Sequence, residues 1–445
     1  MAGKGPSGKS MGCLPAPESP LACPIHRMFA AMRESAVHPS FHLDEVRYEI
    51  RGALARHARE LEAAGHAVLK LNIGNLGRFG FRAPAHLTDA MSRHLADSDA
   101  YGHEQGLESA RAAILARQQA RGADATDIER IFIGNGVSEL IDLVLRALLN
   151  QADEVLLPAP DYPLWSAATI LNDGTPRYYA CPASRGHLPD PDEIEAMCGP
   201  RTRAIVLINP NNPTGACYPR DLLERIVAIA ERHSLLLLSD EIYDDIRYDG
   251  APFTPLASLA GDLPCVTFGG LSKVHRACGF RVGWATLSGN GARIEAYREA
   301  MQLLAALRLC PNVPAQWAIE PALAGPDTIT ALTVPGGRLH ASRRAVLEGV
   351  ARSRFLECVA PEGALYAFPS VRAEVLPAFD DNDFAMRLLD DEHALVVPGS
   401  SFNLLPSRHF RITLLPEATE IADVFARIER TLVRMVGEQP ATRVA

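Results

Sequence analysis

Between residues 130 and 287 the chain repeats one pattern: a short run of apolar residues, then a longer segment of helical or turn character. The runs fall at 130–133, 154–157, 204–208, 235–239, 266–268 and 281–287. They are too short for helices and lack the polar alternation of a half-solvated strand. A strand that is apolar at every position must be covered on both faces, which points to a largely parallel sheet with helices on either side. One connecting segment, 138–149, places Ile141, Val144, Leu145 and Leu148 on a single helical stripe. A helical pattern also spans 107–121, and another spans 43–69 with Leu54, Ala58 and Leu61 in phase. A strand at 68–73 ends at Gly74, and residues 338–352 open a second region with strands at 365–368, 394–397 and 410–414. The expected fold is α/β. Residues 86–325 form a large domain, and residues 41–85 and 326–445 form a smaller α+β domain from both chain ends. Residues 1–40, which lack periodicity, are read as a tail.

The composition narrows the function. Of 445 residues, 47% are hydrophobic and 22% charged, enough apolar material for two cores. A net charge of −9 argues against a nucleic-acid or anionic membrane partner. No apolar run approaches the roughly 18–20 residues of a membrane span, and residues 1–24 lack the apolar core of a signal peptide. The nine cysteines are scattered without a C-x-x-C pair, so reduced thiols, no metal site and a cytoplasmic setting are expected. Two motifs mislead. The Gly3-Lys4-Gly5-Pro6-Ser7-Gly8-Lys9-Ser10 string matches a phosphate loop, but no buried strand precedes it and Pro15 and Pro17 follow it. Gly134-Asn135-Gly136 resembles a dinucleotide fingerprint, yet Glu139 stands where a third glycine is required for close helix–strand packing. The general feature that survives is a glycine turn feeding a helix N-terminus, which is a cradle for an anion.

The chemistry concentrates at the strand ends, where open α/β sheets carry their sites. There are four lysines, Lys4, Lys9, Lys70 and Lys273, so lysine-dependent chemistry has few candidates. Lys273 follows Gly269-Gly270-Leu271-Ser272 after the run ending at Phe268, with Arg281 eight residues on. Asp240 closes the run 235–239, and a carboxylate leaving a buried strand must be paired. Tyr243 lies within reach of the same ligand. The turn Asn209-Pro210-Asn211-Asn212-Pro213-Thr214-Gly215 follows the run 204–208. A lysine for an imine, a carboxylate for a pyridine nitrogen, a phenol or amide for a ring hydroxyl and an anion cradle are the groups that pyridoxal phosphate needs.

With these strings the chain resembles the fold-type I, class I/II pyridoxal-phosphate aminotransferases, specifically the bacterial glutamate–pyruvate (alanine) aminotransferase family. Supporting strings include Tyr48-Glu49-Ile50-Arg51-Gly52, Leu71-Asn72-Ile73-Gly74-Asn75, Asp161-Tyr162-Pro163-Leu164-Trp165, Arg308-Leu309-Cys310-Pro311-Asn312, Pro335-Gly336-Gly337-Arg338 and His409-Phe410-Arg411. The resemblance covers about residues 43–435. It implies that Lys273 carries the cofactor as an imine and shuttles protons. Asp240 pairs with the pyridine nitrogen, while Tyr243 and Asn212 contact the ring hydroxyl. Tyr162 stacks on the ring. Gly136, Val137, Ser138 and Arg281 hold the phosphate, with Tyr101 reaching across from a second subunit. Arg411 binds the substrate α-carboxylate with help from Asn212 and Gly74, and Tyr48 and Arg51 lie where side chains are recognised. A homodimer that shares its active sites is implied.

The sequence departs from that family around the substrate. Gly74-Asn75-Leu76-Gly77-Arg78 replaces a proline-containing loop, which frees the backbone and adds a cation. Tyr101-Gly102-His103-Glu104-Gln105-Gly106 replaces a Ser/Lys-bearing segment, Gly269 replaces an Asn, and Arg276 replaces a small residue. Transamination between a small, alanine- or glutamate-like L-amino acid and a 2-oxo acid is the first expectation. The alternative is a specialised-metabolism enzyme of the same cofactor that carries out β/γ-elimination, replacement or C–C bond formation through an amino-acid quinonoid.

Overall fold

The computed structural model describes residues 37–48 and 52–438. The unit ending at Val46 shows one 3-10 turn, Phe41–Asp44; every other element belongs to the unit that begins at Arg47. The phosphate-loop-like string and Arg51 lie outside the described residues.

The chain first makes the helix Ala53–Ala63 and a short strand, β1 (Leu69–Lys70). The helix is shorter than the pattern at 43–69 suggests. Its predicted apolar positions hold: Ala58 is buried with Leu389 and Leu395, and Leu54 and Leu61 pack against them. Seven strands then build the main sheet: β2 (Ile131–Gly134), β3 (Glu154–Ala159), β4 (Thr175–Ala180), β5 (Thr202–Ile208), β6 (Leu236–Asp240), β7 (Cys265–Gly270) and β8 (Gly283–Ser288). Their order is β2-β8-β7-β6-β5-β3-β4. Pairs β3–β4, β3–β5, β5–β6 and β6–β7 are parallel, whereas β8 runs antiparallel to both its neighbours.

The continuous apolar runs now have their cause. Within one strand, alternate side chains enter opposite cores. Val155, Leu157, Val206 and Leu238 pack with the helices Val137–Leu148 and Gly291–Leu307, while Leu156, Ile205, Leu207 and Leu237 pack with the helix Arg220–Arg232. The stripe Ile141, Val144, Leu145 and Leu148 is buried as its spacing predicts. The strand β4 escaped the sequence reading because it is an edge strand: exposed Thr175, Arg177 and Ala180 break the apolar run.

The remaining strands are short: β9 (Leu356–Glu357), β10 (Tyr366–Ala367), β11 (Ser370–Val371), β12 (Ala394–Leu395), β13 (Val397–Pro398) and β14 (Phe410–Thr413). The run at 394–397, read as one strand, divides between two sheets. Ala394–Leu395 pairs with β1 in parallel, and Val397–Pro398 pairs antiparallel with β14. Likewise only Leu69–Lys70 of the run 68–73 joins a ladder. Around these strands one core gathers Leu71, Leu76 and Phe81 with Phe384, Ile412, Leu414 and Val424, so segments from both chain ends share it. Among the described residues, no helix is long and apolar enough to cross a membrane.

Sheet register sets the site's position. Ile208 pairs with Asp240, and Asp240 with Phe268. Gly270 and Gly134 both pair with Gly283. The ends of β2, β5, β6 and β7 therefore lie abreast along one edge, and the loops that leave them converge there.

Candidate active site

A cleft of about 690 Å³ opens at that edge, within the usual range for a small-molecule site. Its lining brings together Tyr48, Gly74, Val137, Ser138, Tyr162, Asn212, Asp240, Tyr243, Lys273, Arg281 and Arg411. Gly136 stands directly behind Arg281. Tyr101 is 81% exposed and lies outside the lining of its own chain's cleft.

Lys273 leaves the loop after β7, and its Nζ donates to the Gly74 carbonyl at 2.9 Å. Asp240 ends β6 with 4% of its surface exposed. Its carboxylate accepts from the Trp165 indole at 3.4 Å and the Ile242 amide at 3.3 Å. Burial pushes this carboxyl up to about 6, and the opposing pulls of those two hydrogen bonds and of Lys273 do not cancel it. The next residue, Glu241, turns the other way, accepting from Ser239 Oγ and from the Leu256 amide, each at 3.0 Å. Strand alternation thus selects Asp240, not Glu241, for the cleft.

The turn expected to cradle an anion is built around Gly136. This residue has φ +90°, and a Cβ there would lie 2.3 Å from Arg281 Nη2. Arg281 donates to the Asn135 carbonyl at 3.2 Å and the Cys278 carbonyl at 3.0 Å. The helix Val137–Leu148 begins immediately after, so its N-terminal end, the positive end of the helix dipole, lies at this turn. Glu139, the residue that spoils the dinucleotide fingerprint, ties the turn: it accepts from the Asn135 amide at 2.7 Å and pairs with Arg308 at 2.5 Å. Asn312 reaches the same turn, its amide donating to Asn135 Oδ1 at 3.0 Å. The 308–312 string is therefore a brace beneath the cradle.

Arg411, on β14, is 2% exposed. Its Nη1 donates to Asn212 Oδ1 at 2.9 Å and its Nη2 to the Asn72 carbonyl at 2.5 Å. The guanidinium lies over the rings of Tyr366 and Phe402, at 4.3 and 4.8 Å. Its Nε is buried without a hydrogen-bond partner. Asn212 is free to serve it because the 209–215 turn is tied internally, with Asn211 Oδ1 accepting from the Thr214 amide and hydroxyl. The Tyr48 and Tyr162 hydroxyls approach to 3.5 Å at the cleft wall.

Sequence reasoning missed Tyr366, on β10. This tyrosine lines the cleft, and its hydroxyl accepts from Tyr243 at 3.2 Å. The available signal was a tyrosine within an apolar strand run, whose hydroxyl needs a buried partner. Trp165, in the 161–165 string, donates to Asp240 from its indole. Two departures also read differently in three dimensions. Arg276 spends its guanidinium on the Arg82, Val274 and Thr328 carbonyls and the Thr328 hydroxyl, away from the cleft lining. Arg78 is exposed, and of the 74–78 loop only Gly74 and Asn75 line the cleft, while Leu76 turns into the core.

Comparison with known proteins identifies the family. Residues 67–428 match the family model for aminotransferase class I and II. The chain is 46% identical over 398 residues to the glutamate-pyruvate aminotransferase of Escherichia coli K12, covering 89% of this chain and 98% of the relative. It is 44% identical to the alanine aminotransferase of Mycobacterium tuberculosis, over 90% of this chain and 94% of that one. The crystal structure of an Escherichia coli aminotransferase superposes with a TM-score of 0.88 at 46% identity, covering 90% of this chain and 99% of that one. For the alanine aminotransferase of Pyrococcus furiosus the TM-score is 0.85 at 34% identity, over 89% of this chain and 100% of the other. The chain belongs to the class I and II aminotransferases, a pyridoxal-phosphate-dependent family, and is an enzyme that moves amino groups between amino acids and 2-oxo acids.

Proposed function

We propose that this enzyme holds pyridoxal 5'-phosphate in the cleft and exchanges amino groups between a small L-amino acid of the alanine or glutamate type and a 2-oxo acid. The observation that carries the reading is Asp240. A buried carboxylate raised by desolvation, facing a cleft and served by two long hydrogen bonds, fits a cationic partner. A protonated pyridine nitrogen is such a partner. The rest of the donor set fits the same group. Gly136, Val137, Ser138 and Arg281 would hold the phosphate, Tyr162 would cover the ring, and Tyr243 and Asn212 would meet its hydroxyl. Bound pyridoxal phosphate supplies an electron sink for breaking a bond at the substrate α-carbon.

The residues do the remainder. Lys273 is the amine that anchors the cofactor and the base positioned to carry the α-proton. Arg411, with Asn212 and Gly74, orients the substrate by its carboxylate, since a guanidinium fork fixes a planar anion in two directions. Tyr48 and Arg51 are assigned to the substrate side chain. Exposed Tyr101 fits a homodimer in which it completes the partner's phosphate site, and a cytoplasmic setting matches the unpaired thiols of the described cysteines. We assign residues 86–325 to the cofactor-binding domain and residues 41–85 with 326–445 to the smaller one.

The test is a donor screen on the purified holoenzyme, followed by the cofactor absorbance. L-Alanine or L-glutamate should convert the cofactor to its aminated form, and a 2-oxo acid should reverse it. Absence of exchange with every donor would refute the reading, and an imine absorbance that survived Lys273→Ala would refute the anchor.

A further inference from the structure

Tyr366 sits where the two halves of the site meet. It pairs with Thr413 across the β10–β14 ladder, two residues from Arg411 on the same face, so the two side chains are diagonal neighbours. Its ring supports the Arg411 guanidinium at 4.3 Å. Its hydroxyl accepts from Tyr243 at 3.2 Å. On the third side it meets the backbone of Gly74: a Cβ there would lie 2.2 Å from the Tyr366 hydroxyl oxygen. The Gly74 carbonyl in turn accepts from Lys273. One phenol therefore touches the arginine assigned to the substrate carboxylate, the tyrosine assigned to the cofactor hydroxyl and the loop that receives the lysine amine.

We propose that Tyr366 is a positioning residue for amino transfer, its ring holding the Arg411 guanidinium in plane and its hydroxyl setting the direction of the Tyr243 hydrogen bond. The proposal rests on the function assigned above. A phenol is both donor and acceptor. When Tyr243 turns its proton toward a ligand, Tyr366 can donate back to the Tyr243 oxygen and strengthen that bond. A phenylalanine would keep the ring and lose this exchange. The groups that face the Tyr366 phenol are Lys273, Arg411, Tyr243, Cys278 and, across the cleft wall, Tyr162. Burial raises this phenol. The Lys273 and Arg411 charges and the Tyr243 hydrogen bond outweigh burial and leave it below its ordinary value. A substrate carboxylate on Arg411 neutralises one of those charges, which links substrate binding to the proton shared by the two tyrosines.

The experiment compares wild-type, Tyr366→Phe and Tyr366→Leu holoenzymes. Propionate, an unreactive monocarboxylate, is titrated against the cofactor absorbance from pH 6 to 9.5, and kcat and KM are measured with L-alanine over the same range. The Phe variant should bind propionate within about twofold of wild type, because the ring remains. Its absorbance titration midpoint should move by at least about half a pH unit, and its kcat should fall about tenfold. The Leu variant should bind propionate about tenfold more weakly, because the cation has lost an aromatic face. An unchanged midpoint with unchanged kcat in the Phe variant would overturn the proposal. So would wild-type propionate affinity in the Leu variant. Propionate binding needs no turnover, so a wild-type enzyme that bound it but exchanged no amino group would count against the assigned function while leaving the role of Tyr366 supported by the shifts in the two variants.

Discussion

Replacing Asp240 by Asn should stabilise the cofactor-free protein while disabling the enzyme. The carboxyl is 4% exposed and titrates at about 6 instead of 3.8. A rise of roughly two pH units corresponds to ~3 kcal/mol of penalty on the charged form at neutral pH. The sign follows from which state gives up its proton first. The unfolded chain ionises this carboxyl near 3.8 and the folded chain only near 6, so wild-type stability falls as pH rises between those values. Below that window both states are protonated and the penalty is absent. Above it the penalty is complete. The Trp165 indole and the Ile242 amide bond separate carboxylate oxygens, so asparagine keeps an acceptor for one of them and turns its NH₂ toward the other donor, which costs about 1–2 kcal/mol. The net gain in the cofactor-free variant should be about 1–2 kcal/mol at pH 7.5, and it should shrink by about 1 kcal/mol or more at pH 5. Urea unfolding at the two pH values, with equal slopes in both proteins, measures it. In the loaded enzyme the sign reverses, and turnover should fall on the order of 100-fold or more because the stabilising charge is gone. A cofactor-free Asn variant less stable than wild type at pH 7.5, or a gain that does not change with pH, would refute the electrostatic account of this site.

Three further substitutions probe the geometry. Arg411→Lys removes the planar fork that meets Asn212, Asn72 and the two rings, and kcat/KM for the amino donor should drop about 100-fold, with KM rising; a KM within twofold of wild type in steady-state assays would contradict the carboxylate assignment. Gly136→Ala places a methyl 2.3 Å from Arg281 Nη2 at a positive φ, and equilibrium titration should show pyridoxal phosphate bound at least about tenfold more weakly. Gly269→Ala drives a methyl to 2.6 Å from the Trp284 indole nitrogen and should cost about 1–3 kcal/mol in urea unfolding; an undiminished midpoint would show that Trp284 can move.

The departures from the family pattern show where sequence comparison and chemistry part. Gly269, Arg276 and Arg78 each read as changes around the substrate. In the structure Gly269 makes room for Trp284, Arg276 binds loop carbonyls, and Arg78 is exposed. A residue adjacent in sequence to a site points into it only if backbone direction and packing allow, and sequence alone carries neither.

What the sequence determined by itself was local. Runs apolar at every position report burial on both faces, so the main sheet was legible apart from its edge strand β4. Candidates at the strand ends, Asp240, Asn212 and Lys273, followed from the rule that loops leaving such a sheet carry the site. Arg411 and Tyr162 needed the family resemblance, because a lone arginine or tyrosine has no local signature of its role. The tertiary structure decided the rest. It set β8 antiparallel, divided the run at 394–397 between two sheets, turned Asp240 toward the cleft and Glu241 away, and set Tyr366 between Arg411, Tyr243 and Gly74. Periodicity encodes which side of an element is buried, since that depends on neighbours a few residues away. Which distant element it is buried against depends on strand order and register, and Arg411 meets Asn212 across 199 positions of chain only after both are fixed.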